Sequence, residues 1–72
     1  MRIKGDCQAS HNAAAWVKKK YNIKGWALCY DQLEREFKCK VTVGYRHDSW
    51  YVPDWIDFED ERDGVMFILR WT

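Results

Sequence analysis

The stretch EDERDGVMFILRWT, residues 59–72, decides which of two folds the chain adopts. The first alternative is a hairpin: Asp63-Gly64 is a strong turn signal, and the apolar run that follows it suits a buried strand. The second alternative is a helix: Asp60 is a candidate N-cap, and Glu61 and Asp63 fall in the first turn, where the helix dipole favours acids. Local propensity leaves the two alternatives almost balanced.

The helical alternative also has a helical spacing of apolar residues. Gly64 is its weak point, because glycine costs about 1 kcal/mol relative to alanine inside a helix. The predicted buried stripe consists of Gly64, Phe67, Ile68 and Trp71, and is broadened by Val65 and Leu69.

Residues 58–71 resemble the ending of many small uncharacterised proteins of T4-like bacteriophages, which is roughly F-x-[N/D]-E-x-D-A-x-x-F-x-L-R-W. The resemblance covers about a fifth of the chain, and Gly64 stands where the pattern has alanine. It implies the end of a strand followed by a helix, so we predict Asp60 as N-cap and a helix over 61–71. The matching residues are Phe58, Asp60, Glu61, Asp63, Phe67, Leu69, Arg70 and Trp71.

Two further helices are predicted in the first half of the chain. Residues 9–21 contain three consecutive alanines, the best helix formers, and Ser10 or Asn12 is the candidate N-cap. The second helix is predicted over 28–38 because its apolar residues recur at helical spacing. These residues are Trp26, Cys29, Tyr30, Leu33 and Phe37.

From residue 40 the apolar period changes to two, which predicts strands. KVTVGYR, residues 40–46, is a half-buried strand, and WIDFE, residues 55–59, is another. SWYVP, residues 49–53, is a candidate short edge strand because Pro53 cannot donate to a central ladder. MRIKG at the start of the chain is a further short strand candidate.

These elements predict a single α+β domain over residues 1–72. A small antiparallel sheet of about three strands packs against helices, and the C-terminal helix closes the core. The predicted order is (β)-α-α-β-β-α.

The size and composition of the chain argue against an enclosed active site. A chain of 72 residues buries only ~60% of its unfolded surface, so its aromatic side chains are needed for the core itself. Three cysteines do not make a disulfide framework, and neither their spacing nor that of the histidines fits a zinc site. We therefore predict no catalytic residues, no metal and no cofactor, in a protein that is not an enzyme.

The chain has no apolar segment suited to a signal peptide and none near the ~20 residues of a membrane span. This pattern predicts a reduced protein of the cytoplasm with no membrane contact.

The charge distribution suggests a binding surface. The net charge is +1, but residues 1–46 carry an excess of six positive charges and residues 47–72 an excess of five negative charges. Aromatic residues crowd around Pro53 within the acidic half, and exposed Trp and Tyr are common interface anchors. The predicted partner-binding residues are Trp50, Tyr51, Trp55, Asp54, Asp57 and Glu59.

The resemblance implies a phage origin and a fold more than an activity, and a small phage protein without an active site most often works by occupying a surface. The hypothesis is therefore a host-takeover or anti-defence protein that binds a host protein in the host cytoplasm and inhibits or redirects it stoichiometrically. The alternative is a nucleic-acid-binding protein that uses a basic patch, since clustered lysines bind phosphates. The residues of that patch are Lys18, Lys19, Lys20, Lys24, Arg35 and Lys38.

Overall fold

The computed structural model describes residues 1–43 and 53–72 and confirms the predicted α+β class and element order. Within these residues the second and third helices contact a small antiparallel sheet, and the first helix packs against both of them. The elements are β1 Arg2–Lys4, α1 Gln8–Tyr21, α2 Trp26–Phe37, β2 Cys39–Val43, β3 Pro53–Phe58 and α3 Glu61–Trp71.

The C-terminal stretch is a helix, so the hairpin alternative is wrong. Asp60 is the N-cap, and its carboxylate accepts a hydrogen bond from the Arg62 backbone N–H at 2.9 Å. Gly64 and Phe67 are buried on the face that meets the rest of the molecule.

The predicted broadening of this buried stripe by Val65 and Leu69 is wrong. Both side chains are exposed, Val65 by 43% and Leu69 by 72%. Each lies two residues from Phe67, which is roughly 200° around a helix of 3.6 residues per turn. Because Phe67 points into the core, Val65 and Leu69 point away from it.

We expect Asp60→Ala to lower the free energy of unfolding by about 0.5–2 kcal/mol, since the capping hydrogen bond to Arg62 is lost. Urea denaturation followed by circular dichroism measures this change. Asp60→Asn, which keeps an acceptor oxygen, is the control and should retain most of the stability. Equal losses in both variants would show that the cap hydrogen bond is not the source of the stabilisation.

The last strand of the sequence is the central strand of the sheet. The order is β1-β3-β2, and both pairings are antiparallel. The prediction that Pro53 marks an edge strand is therefore wrong, because Pro53 begins β3. Proline is tolerated at the first residue of a strand, and the β2–β3 register is irregular at this end, between Thr42 and Val43.

The period-two pattern places β3 correctly. Ile56 and Phe58 are buried, whereas Trp55 and Asp57 face the opposite side of the sheet. The β2 strand is less buried, because Val41 is only half-buried and Val43 is exposed. Of the predicted strands, residues 44–46 and 49–52 lie outside the described residues.

Both upstream helices begin earlier than predicted. The N-cap of α1 is Cys7, not Ser10 or Asn12. Ser10 is 2% exposed because it lies on the helix face that packs into the core. Asn22 ends α1 in the left-handed conformation, with a φ of 52°. Lys38 ends α2 in the same way.

The core has an aliphatic part and an aromatic part. Val17, Cys29, Leu33 and Ile56 have no exposed surface. Beside them Phe67 contacts Phe37 and Phe58, with ring centroids 5.2 Å apart in both pairs. Within the described residues no helix is long and apolar enough to cross a membrane, and the longest, α1, has 14 residues.

Candidate functional site

One candidate surface is the solvent-facing side of α3. Val65, Met66 and Leu69 lie together there, and Met66 is 65% exposed. We call these three residues the α3 stripe. Single exposed apolar residues are ordinary, but a group of three on one helix face forms a patch of the kind found at protein interfaces.

A shallow groove runs beside the α3 stripe. Its volume is about 290 Å³, and its lining includes the aromatic residues Phe37, Phe67 and Trp71. Charged side chains of both signs also line the groove, and Met66 belongs to both the groove and the stripe. The charged residues are Glu36, Lys38, Asp63 and Arg70.

The sequence contains a signal for the α3 stripe, although helical spacing alone predicts Val65 and Leu69 to be part of the core. Apolar residues occur on more than one side of α3, whereas an amphipathic surface helix has one apolar face. An excess of apolar residues around a helix indicates a second apolar face that is available for contact with another molecule.

A second candidate surface is the side of the sheet that faces away from the helices, which we call the outward sheet face. Trp55 lies on its central strand and is 38% exposed. The strand registers place Lys4 and Thr42 on either side of Trp55, and Arg2 and Lys40 on either side of Asp57. The outward sheet face therefore consists of Arg2, Lys4, Lys40, Thr42, Trp55 and Asp57.

Arg2 links the two central residues of this face. Its Nε donates to Asp57 Oδ1 at 2.8 Å and its Nη2 donates to Oδ2 at 3.4 Å. The guanidinium carbon also lies 5.2 Å from the centroid of the Trp55 ring. The hydrogen bond from Arg2 is the largest cause that lowers the pKa of Asp57, and the charge of Lys40 acts in the same direction. The Asp57 carboxylate is thus ionised and held by a neighbouring strand.

The predicted partner-binding residues do not form one acidic surface. Trp55 and Asp57 share the outward sheet face, whereas Asp54 is half-buried near the start of β3 and Glu59 is exposed just past its end. Trp50 and Tyr51 lie outside the described residues. Their role in partner binding stays a prediction.

The predicted basic patch is divided between several environments. Lys18 lies over the Trp26 ring at 3.9 Å. Lys20 lies over the Trp16 ring at 4.5 Å, and its Nζ is 3.3 Å from Glu36 Oε1. Lys18 and Lys20 are roughly 200° apart around α1. The remaining members of the patch, Lys19, Lys24, Arg35 and Lys38, are exposed.

Two of the cysteines are structural. Cys29 is fully buried, its Sγ donates to the Ala14 carbonyl at 3.4 Å, and burial raises its pKa. Burial raises the pKa of Cys39 to about 12. Because the thiolate is the nucleophile and the metal ligand, neither thiol is prepared for such chemistry near neutral pH. Among residues 1–43 and 53–72, no three His, Cys, Asp or Glu side chains are grouped as a metal site.

Comparisons with known proteins leave these two surfaces without a precedent. No protein-family model, no curated protein and no solved structure matches the chain. A hypothesis about a ligand of the α3 stripe or of the outward sheet face therefore rests on the chemistry of these surfaces alone.

Proposed function

We propose that this protein is a non-enzymatic binding protein that acts by occupying an apolar surface of a partner protein. The observation that carries the proposal is the α3 stripe, in which Val65, Met66 and Leu69 are 43%, 65% and 72% exposed. The stripe lies on the same helix whose opposite face closes the core. A partner that docks there therefore meets a preformed, rigid surface.

The stripe can supply enough binding energy to anchor an interface. Complete burial of a Val, Leu or Met side chain contributes about 1.5–3 kcal/mol. Interfaces depend on a few such residues at their centre, surrounded by polar residues that exclude water. Arg62, Asp63 and Arg70 are exposed neighbours of the stripe and suit that surrounding role.

The resemblance of residues 58–71 to the endings of small T4-like phage proteins supports a bacterial host protein as the partner. The protein then works in the host cytoplasm as a stoichiometric inhibitor or redirector of that host protein. In the resembling ending the leucine at position 69 is part of the pattern, and here it is the most exposed residue of the stripe. The predicted anchors around Pro53 remain candidates for a second contact area.

The proposal predicts that Leu69→Lys and Met66→Lys strongly reduce partner capture. The tagged full-length protein is used as bait in lysate of a bacterial host, and a captured protein is then purified and its Kd measured. Each substitution should cost about 2 kcal/mol or more, roughly 30-fold in Kd, because a charge is placed in the apolar centre of the interface. Both side chains are exposed, and a lysine at position 69 also suits the helix dipole near the C-terminus of α3, so the fold should be retained.

Leu28→Lys is the matched control. Leu28 is 63% exposed on α2, outside the stripe, and undergoes the same change of side chain. Capture that survives Leu28→Lys but not Leu69→Lys supports the proposal. Capture that survives Leu69→Lys, or that is lost equally in both variants, contradicts it.

A further inference from the structure

We infer that the outward sheet face binds single-stranded nucleic acid, with Trp55 as the residue on which a base stacks. This site goes beyond the proposed protein-binding function. It also differs from the lysine patch predicted on α1 and α2, because it lies on the three strands.

The sheet puts an aromatic ring between cations that are distant in sequence. Trp55 is on the central strand, and Lys4 is its partner on β1. On β2, Lys40 lies two residues along from Thr42, the partner of Trp55, and therefore on the same face. Lys4 therefore lies directly beside the ring, and Lys40 lies diagonal to it, at roughly 7–8 Å, which is within reach of a long side chain. A nucleic-acid strand with a base on the ring would therefore meet a cation on either side.

The charge of this face favours a phosphate backbone. The outward sheet face carries three cations, Arg2, Lys4 and Lys40, and one carboxylate, that of Asp57. The net formal charge of its six residues is therefore +2. Asp57 is hydrogen-bonded to Arg2, so its charge is neutralised within the face. Lys4 and Lys40 are both exposed and can reach phosphates.

The ring of Trp55 is held in place for stacking. The bidentate contact with Asp57 fixes the Arg2 guanidinium, and this group lies 5.2 Å from the ring centroid. A cation over the face of a tryptophan is attracted by the ring, so the ring loses freedom before any ligand arrives. Arg2 covers one face of this ordered ring, so a base stacks on the other face.

A groove next to the ring offers groups that fit a base edge. It is lined by Lys4, Asp6, Pro53, Asp54 and Trp55. The carboxylate of Asp6, which is exposed, can accept a hydrogen bond from an exocyclic amino group, such as N4 of cytosine. Only an unpaired strand can place a base on the ring and its edge in this groove, because the bases of a duplex are stacked and paired.

Fluorescence anisotropy of labelled single-stranded DNA and RNA, each about 12 nucleotides long, tests the inference with the full-length protein. Trp55→Ala should weaken binding roughly 5- to 150-fold, because the stacking of one base on an aromatic ring strengthens the affinity by about that factor. Two phosphate contacts predict a slope of about −1.4 for log K against log salt concentration. Lys4→Ala and Lys40→Ala should each reduce that slope by about 0.7.

The controls separate this site from other sources of binding. Trp55→Phe keeps an aromatic ring and should restore most of the affinity. Lys19→Ala removes an exposed lysine of the α1 patch and should leave the affinity unchanged. Leu69→Lys should also leave it unchanged, so that failure of the protein-binding proposal and failure of this inference are distinguishable. Thermal melting checks that each variant is folded, and the Lys4→Glu, Lys40→Glu double variant replaces Trp55→Ala if the latter does not fold.

Three results would overturn the inference. The first is the absence of single-strand binding by the wild-type protein at low salt. The second is binding that is unchanged in Trp55→Ala, or in the double charge variant, while Lys19→Ala weakens it. The third is equal binding of a duplex, or displacement of the oligonucleotide by polyglutamate at equal charge, which would identify an unspecific cationic surface suited to acidic proteins.

Discussion

Replacing Phe67 by alanine is expected to lower the free energy of unfolding by about 3–5 kcal/mol. Phe67 is 3% exposed and its ring contacts both Phe37 and Phe58, so the substitution leaves a cavity where α3, α2 and β3 meet. A domain of 72 residues has a total stability of roughly 4–11 kcal/mol, at 0.05–0.15 kcal/mol per residue. The variant should therefore be partly or wholly unfolded at 37 °C, as measured by urea denaturation and thermal melting.

Leu69→Ala is the matched control because it distinguishes a helix from a strand. In a strand, residues 67 and 69 share a face, and both substitutions would be costly. In α3, Leu69 is 72% exposed, so its truncation should change the stability by less than about 0.5 kcal/mol. Similar losses in the two variants would contradict the helical packing of the C-terminal stretch.

Gly5→Ala is expected to destabilise the protein by about 1–3 kcal/mol, the usual cost of overpacking. A Cβ at Gly5 would overlap the carbonyl group of Pro53 and lie 2.7 Å from the Pro53 Cβ. The Gly5 backbone is also held in place, since its N–H donates to the Asp54 carbonyl at 2.9 Å. The obstacle is backbone rather than a flexible side chain, so β1 must move away from β3. The melting temperature should fall by roughly 4–8 °C per kcal/mol.

Gly25→Ala is the control for this prediction. Nothing lies within 4 Å of a Cβ added at Gly25, which is the N-cap of α2. Gly25→Ala should lower the free energy of unfolding by less than about 1 kcal/mol, the typical cost of alanine at an N-cap. An unchanged melting temperature for Gly5→Ala, or a larger loss for Gly25→Ala, would show that the close approach of β1 and β3 is not required.

The local signals in the sequence predicted most of the secondary structure. The Asp60 cap, the end of α1 at Tyr21 and the alternation of Ile56 and Phe58 with Trp55 and Asp57 are all present. The start of α1 was missed because Ser10, a good N-cap by type, is buried in the helix. Pro53 was assigned to an edge because proline lacks a donor, but at the first residue of a strand that donor is not needed.

The candidate sites were harder to predict than the elements. The period of two put Trp55 and Asp57 on the same face, but it gave no sign that cations from β1 and β2 flank them. The α3 stripe was misread because helical spacing shows that apolar residues are present on several sides. It does not show which side meets Phe58 and the rest of the core.

The sequence by itself determined where helices and strands form, because capping, glycine and proline effects and apolar periodicity act over a few residues. Only the tertiary structure decided the strand order, the contact between Gly5 and Pro53, and the pairing of Arg2 with Asp57, which are 55 residues apart. These contacts depend on sheet register and on the packing of α3 over the core. Such long-range packing leaves no periodic signal in a single sequence, so the surfaces that it creates are visible only in the folded chain.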